Sequence, residues 1–122
     1  MHEEFYEWFD RFVSRMNKNL ARYNPRNDGT GENERFRRYY IRNRDGKERF
    51  IVHLRATPTK KRINVLFGLR EEFLRLPEGC PELEYNDKSV PNYREFNLNM
   101  NDTHVEEITL DLAKQIAEYH TR

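Results

Sequence analysis

Apolar residues first recur at three- and four-residue steps. Phe5, Trp8, Phe9, Phe12, Met16, Leu20 and Tyr23 fall on one stripe, which predicts an amphipathic helix over residues 3–23. Asn24-Pro25 ends it, because proline disfavours helical geometry in the residue before it. Arg26-Asn27-Asp28-Gly29-Thr30-Gly31 holds no apolar position and is expected to be a flexible surface loop.

The period then changes to two. Residues 35–43 are rich in Phe, Tyr and Ile, and Arg44-Asp45-Gly46-Lys47 carries the Asp-Gly pair of tight hairpins. Over 48–56, Phe50, Val52, Leu54 and Ala56 alternate with Ile51, His53 and Arg55. The first set is expected to face a core and the second to face outward. Thr57-Pro58-Thr59-Lys60-Lys61 supplies a second turn, and Ile63, Val65 and Phe67 continue the apolar face in a third strand over 62–68. Leu69 to Leu76 permits one or two helical turns before Pro77, and an irregular connection is expected up to Pro91. Phe96, Leu98 and Met100 alternate with Asn97, Asn99 and Asn101 in a fourth strand over 93–100. A last helix begins at an Asp102 or Thr103 cap. Thr103-His104-Val105-Glu106 fits the capping-box pattern, and Val105, Ile108, Leu112, Ile116 and Tyr119 form the apolar stripe.

This order predicts a single α+β domain over 1–122. N- and C-terminal helices would pack on one face of an antiparallel sheet of about four strands, a meander plus one later strand. Trp8, Phe12, Phe50, Val52, Val65, Phe67, Leu98, Ile108, Leu112 and Ile116 are the expected core.

Composition changes the picture in two ways. Mean hydropathy is only -1.10, but 16 aromatic residues argue against disorder and for an aromatic core under a charged surface. Cys80 is the single cysteine and no apolar run approaches a membrane span, so a reducing, cytoplasmic setting without a membrane partner is expected. Asn101-Asp102-Thr103 matches a glycosylation sequon but reads better as the start of the last helix.

Charge is segregated along the chain behind a net charge of +1. Residues 35–62 carry eleven basic side chains against Asp45 and Glu48, whereas residues 63–122 carry six basic against twelve acidic. On alternating strands, Arg38, Tyr40, Arg42, Arg55 and Arg62 can share an outward sheet face, with Arg44, Lys47, Lys60 and Lys61 at the turns. Guanidinium groups neutralise phosphates and stack on bases, and tyrosine adds a stacking surface, so a nucleic-acid partner, DNA before RNA, is expected. The competing expectation is a protein-interaction or inhibitor domain, in which the acidic segment 71–87 and the basic meander serve as opposite-charge surfaces.

Candidate chemistry adds no catalytic centre. His2, His53, His104, His120 and Cys80 show no metal-ligand spacing, and the five glycines form no phosphate loop. Asp45-Gly46-Lys47 is similar to the acidic-x-Lys element of metal-dependent nucleases, yet it falls where the hairpin must turn. Glu82, Glu84 and Asp87 cluster in the irregular connection without a partner set. A non-catalytic module with no cofactor is expected.

From Phe36 to Tyr119 the order of elements resembles the small YjbR/MmcQ-like α+β domains and related nuclease-associated domains. The similar parts are Gly46-Lys47-Glu48-Arg49-Phe50, the stretch Ile63-Asn64-Val65-Leu66-Phe67-Gly68-Leu69, and the closing strand and helix. That resemblance implies a double-wing DNA-binding fold. The family's Trp-containing segment before the last helix is replaced here by Phe96-Asn97-Leu98, so no functional residue is carried over.

Overall fold

A computed structural model describes residues 1–29, 35–86 and 93–122. Helix α1 spans Glu3–Leu20 and buries Phe5, Trp8, Phe9, Phe12, Val13, Met16 and Leu20, so the whole predicted stripe up to Leu20 is used. A 3-10 turn, Ala21–Tyr23, follows, and Asn24 adopts the left-handed conformation (φ 52°) that redirects the chain before Pro25.

Helix α2 spans Thr103–Thr121, and its cap is Asp102, whose side chain accepts from the Val105 N–H at 3.1 Å. The capping box expected from Thr103 and Glu106 does not form. Glu106 is buried instead, and its carboxylate accepts from Trp8 Nε1 at 3.3 Å and from Arg15 at 3.0 Å. A carboxylate removed from water requires such donors, and both stand on α1. Arg15 also reaches Glu107, so the two helices are joined by polar contacts as well as by their apolar stripes.

The sheet has six antiparallel strands rather than about four: β1 (Arg26–Gly29), β2 (Phe36–Arg42), β3 (Glu48–Thr57), β4 (Arg62–Phe67), β5 (Glu84–Tyr85) and β6 (Arg94–Asn99), in the order β1-β2-β3-β4-β6-β5. Both additional strands are short and polar. β1 lies in the segment expected to be a loop, of which Thr30 and Gly31 fall outside the described residues. It is held by cross-strand contacts rather than by propensity. Arg26 sits opposite Tyr40 with its guanidinium 4.4 Å from the ring centroid, and it bonds Glu48 at 2.7 and 2.9 Å and Asp28 at 2.6 Å. β5 lies in the expected irregular connection, of which residues 87–91 fall outside the described residues.

The β2–β3 hairpin turns through Asn43. Its carbonyl accepts from the Gly46 N–H, its N–H donates to Lys47 O, and its side-chain oxygen accepts from the Asp45 and Lys47 N–H groups. Gly46 has φ +77°, which a residue with a side chain adopts only with strain. Beyond β4, a 3-10 turn at Glu71–Phe73 fits the predicted helical turns, and Gln115 of α2 bonds both the N–H and the carbonyl of Arg75.

One correction concerns the centre of the sheet. Tyr39 lies opposite Val52 but Tyr40 lies opposite Phe50, so Ile51 is an extra residue forming a β-bulge. The bulge breaks the strict alternation. Ile51, expected outward, is fully buried beside Val52, whereas Phe50, expected in the core, turns to the other face and is only half-buried. There it meets Tyr40 at a centroid distance of 5.7 Å and Tyr93 at 4.8 Å. The other nine expected core residues are buried in one cluster between the helices and the sheet. Among the described residues, no helix is long and apolar enough to cross a membrane.

Candidate nucleic-acid interface

Both helices cover the face of the sheet that carries Tyr39, Ile41, Val52, Leu54, Ile63, Val65, Phe96 and Leu98. Residues paired across strands share a face, so the register identifies what lies on the opposite side. There stand Phe36, Arg38, Tyr40 and Arg42 from β2, with Glu48, Phe50, His53 and Arg55 from β3. Arg62, Asn64 and Leu66 from β4 and Glu95, Asn97 and Asn99 from β6 complete it. The five residues chosen from the alternation, Arg38, Tyr40, Arg42, Arg55 and Arg62, are thus brought together on the face away from the helices. Arg38, Arg42 and Arg55 are exposed there, while Tyr40 and Arg62 are half-buried.

The turn residues do not gather at one point. Arg44 and Lys47 belong to the β2–β3 turn, and Lys60 and Lys61 to the β3–β4 turn at the opposite end of β3. All four are exposed. At about 3.3 Å per residue the ten residues of β3 hold these two pairs roughly 30 Å apart, so the basic surface is a stripe along the strand. Lys61 occupies its turn with φ 49°.

Ion pairing leaves most of this stripe open. Three acids of the helical layer are engaged elsewhere: Glu106 and Glu107 with Arg15, and Asp10 with Arg35. Among the described residues, Arg38, Arg42, Arg44, Lys47, Lys60, Lys61 and Arg62 take part in no ion pair. Arg38 instead covers the Phe36 ring at 4.6 Å. Of the acids on the face, Glu48 is bonded by Arg26, which holds its carboxyl below the usual range. Glu95 lies on β6 and Glu84 on β5, so the face runs from basic over β1 to β4 to acidic at the β5 edge.

His53 is placed as expected on this face, with its ring 5.3 Å from Phe36 in an edge-to-face contact. Its Nε2 is buried and has no hydrogen-bond partner among the described residues. Burial first, then the Arg38 and Arg55 guanidinium groups, push its pKa down to about 4, so the ring is neutral at pH 7. His53 therefore adds aromatic surface but no charge to the arginine stripe.

The other reactive types are placed apart. Asp45-Gly46-Lys47 forms the hairpin turn, and Cys80 is half-buried, with burial raising its thiol pKa and Sγ donating to Pro81 O at 3.3 Å. Among the described residues, no group of three His, Cys, Asp or Glu side chains is placed to hold a metal ion. Of the loop acids, Glu82 and Glu84 are exposed, and Asp87 falls outside the described residues.

Sequence reasoning missed four members of the face. Arg26 was assigned to a loop, Phe50 to the core, and Phe36 and Tyr93 carried no role. The signal for Phe36 was available, since it shares the alternation of Arg38, Tyr40 and Arg42. Comparison with protein-family models, curated proteins and solved structures returned no match for this chain.

Proposed function

We propose that this chain is a non-catalytic nucleic-acid-binding module, with DNA as the expected ligand, that docks the phosphate backbone along the β3 stripe. One observation carries the reading: Arg38, Tyr40, Arg42, Arg55 and Arg62 share the sheet face that neither helix covers. The stripe of roughly 30 Å between the two basic turns matches about nine nucleotide steps at 3.4 Å each. Arginines on such a face serve as phosphate partners and as stacking planes, and Tyr40 offers a ring between them. The alternative is a protein-interaction or inhibitor domain with the acidic segment 71–87 and the basic meander as opposite-charge surfaces. It would gain if C-terminal acids lay over the arginines, whereas Glu106 and Glu107 engage Arg15 on α1.

Titration of labelled duplex and single-stranded oligonucleotides at 50 and 200 mM salt tests the reading. Neutralising about four phosphates gives a log–log slope near -3.6 for duplex, a loss of roughly 150-fold over that range. Arg42→Ala and Arg62→Ala should each reduce the slope by about one and leave the melting temperature nearly unchanged, since neither arginine is ion-paired among the described residues. Absence of binding at 50 mM salt, or an affinity indifferent to salt, would refute it.

A further inference from the structure

The bulge at Ile51 and the short reach of β4 together build a cleft at one corner of the sheet. β4 pairs with β3 only from Val52 to Thr57, and the last contact beyond is Gly68 N–H donating to Ile51 O at 2.9 Å. Glu48, Arg49 and Phe50 therefore run past the end of β4. Beside them lies an open cleft of about 470 Å³, within the size range of small-ligand sites. Tyr40, Phe50 and Tyr93 form its aromatic wall, with Arg49, Gly68 and His120 around them.

Each part of this wall has a physical cause. The bulge turns Phe50 away from the core and sets it between Tyr40 and Tyr93, at 5.7 and 4.8 Å. Gly68 lets the chain pass close to Phe50, because a Cβ there would meet the Phe50 backbone carbonyl first and would lie 2.8 Å from its Cδ2. Glu48 also lines the cleft, but its carboxylate is already bonded by Arg26. Arg49, opposite Ile41 and so on the helix side of the strand end, lines the cleft from that side. It is exposed and makes no ion pair among the described residues, so it supplies the positive charge at the rim. Beside it His120, half-buried at the end of α2, has its pKa lowered by burial and then by Arg49, so the imidazole stands as a neutral hydrogen-bonding group.

We infer that this cleft receives one unpaired nucleobase, stacked against the Tyr40–Phe50–Tyr93 wall, with the adjoining phosphate on Arg49. The inference rests on the nucleic-acid reading above and narrows it to single-stranded or locally unpaired strands. An aromatic wall beside an uncommitted guanidinium matches a flat π-system tethered to an anion. A base within a duplex can reach such a site only by leaving its stack and its partner, at an energetic penalty that a single strand avoids.

The test compares a 12-nucleotide single strand with a 12-base-pair blunt duplex at one salt concentration, using the wild type, Phe50→Leu, Tyr93→Leu and Arg49→Gln. Single-strand affinity should fall roughly 5- to 150-fold for each loss of a ring, the range of one base–aromatic stack, and duplex affinity should fall by clearly less. Arg49→Gln should lower the single-strand salt slope by about 0.7. Phe50→Tyr, which keeps a ring, should retain single-strand binding. If Phe50→Leu lowers the melting temperature too far to assay, Tyr93→Leu decides. Equal losses on both ligands, or unchanged single-strand affinity, would overturn the cleft while leaving the basic stripe intact. A wild-type protein that binds neither ligand overturns both.

Discussion

His53 offers a test that needs no ligand. Its ring is half-buried against Phe36, its Nε2 has no hydrogen-bond partner among the described residues, and Arg38 on β2 and Arg55 on its own strand flank it, with Leu66 opposite on β4. Its folded-state pKa is about 4, against an unfolded value near 6.5. Between those values the unfolded chain binds the proton and the folded chain does not, so stability falls as pH drops through 6.5 and the loss is complete below about 4. At 1.36 kcal/mol per pH unit the full shift is worth about 3.4 kcal/mol, which solvent screening of the partly exposed ring reduces to roughly 2. By pH 5 a little over half of that, roughly 1 kcal/mol, should already be lost. His53→Leu keeps an apolar side chain beside Leu66 and removes the proton site. Urea unfolding of both proteins at pH 7.5 and pH 5 isolates the effect, because His120, shifted in the same direction, is common to both. The wild-type midpoint should fall further than the variant's by somewhat under 1 M, for a urea slope of about 1–2 kcal/mol per M. Parallel shifts in the two proteins would refute the placement of a buried, unpartnered imidazole between two arginines.

Two further outcomes follow from the core. Ile51→Ala should destabilise by about 2–4 kcal/mol and Phe50→Leu by less than about 1.5, read as denaturation midpoints, the reverse of what strict alternation implies. Glu106→Ala leaves the buried Trp8 N–H without its acceptor and should lower stability by about 1–3 kcal/mol, whereas Thr103→Ala should stay within about 0.5, both followed by thermal melting.

Where hydrophobic spacing was long and regular, it read correctly. The stripe from Phe5 to Leu20 and that from Val105 to Ile116 each repeat over several turns, so a single misplaced residue could not disguise them. The arginine alternation of β2 was equally plain. The continuous run Phe50-Ile51-Val52 was not, because three adjacent apolar residues fit either face and only pairing against Tyr39 and Tyr40 settles which one is extra. β1 was illegible for a different reason: Arg26-Asn27-Asp28-Gly29 has the composition of a turn and becomes a strand through contacts with Tyr40 and Glu48, distant in sequence. Asp102 and Thr103 stand side by side at the start of α2 and both residue types can cap, and the choice fell to Asp102 once Glu106 was drawn to Trp8 and Arg15. The cleft was hidden with the bulge that forms it.

The pairing of α1 with α2 also orders events during synthesis. Arg15 meets Glu106 and Glu107 across more than ninety residues, and Trp8 shares the same carboxylate. Strands β2, β3 and β4 are joined by short turns and can assemble as they leave the ribosome, but the apolar side of that meander and the stripe of α1 stay partly bare until residues 103–117 emerge. During that interval the nascent chain presents Phe9, Phe12 and Phe67 to whatever lies near the exit tunnel. The domain therefore closes only once α2 has left the ribosome, and that helix is the one that withdraws those side chains from other partners.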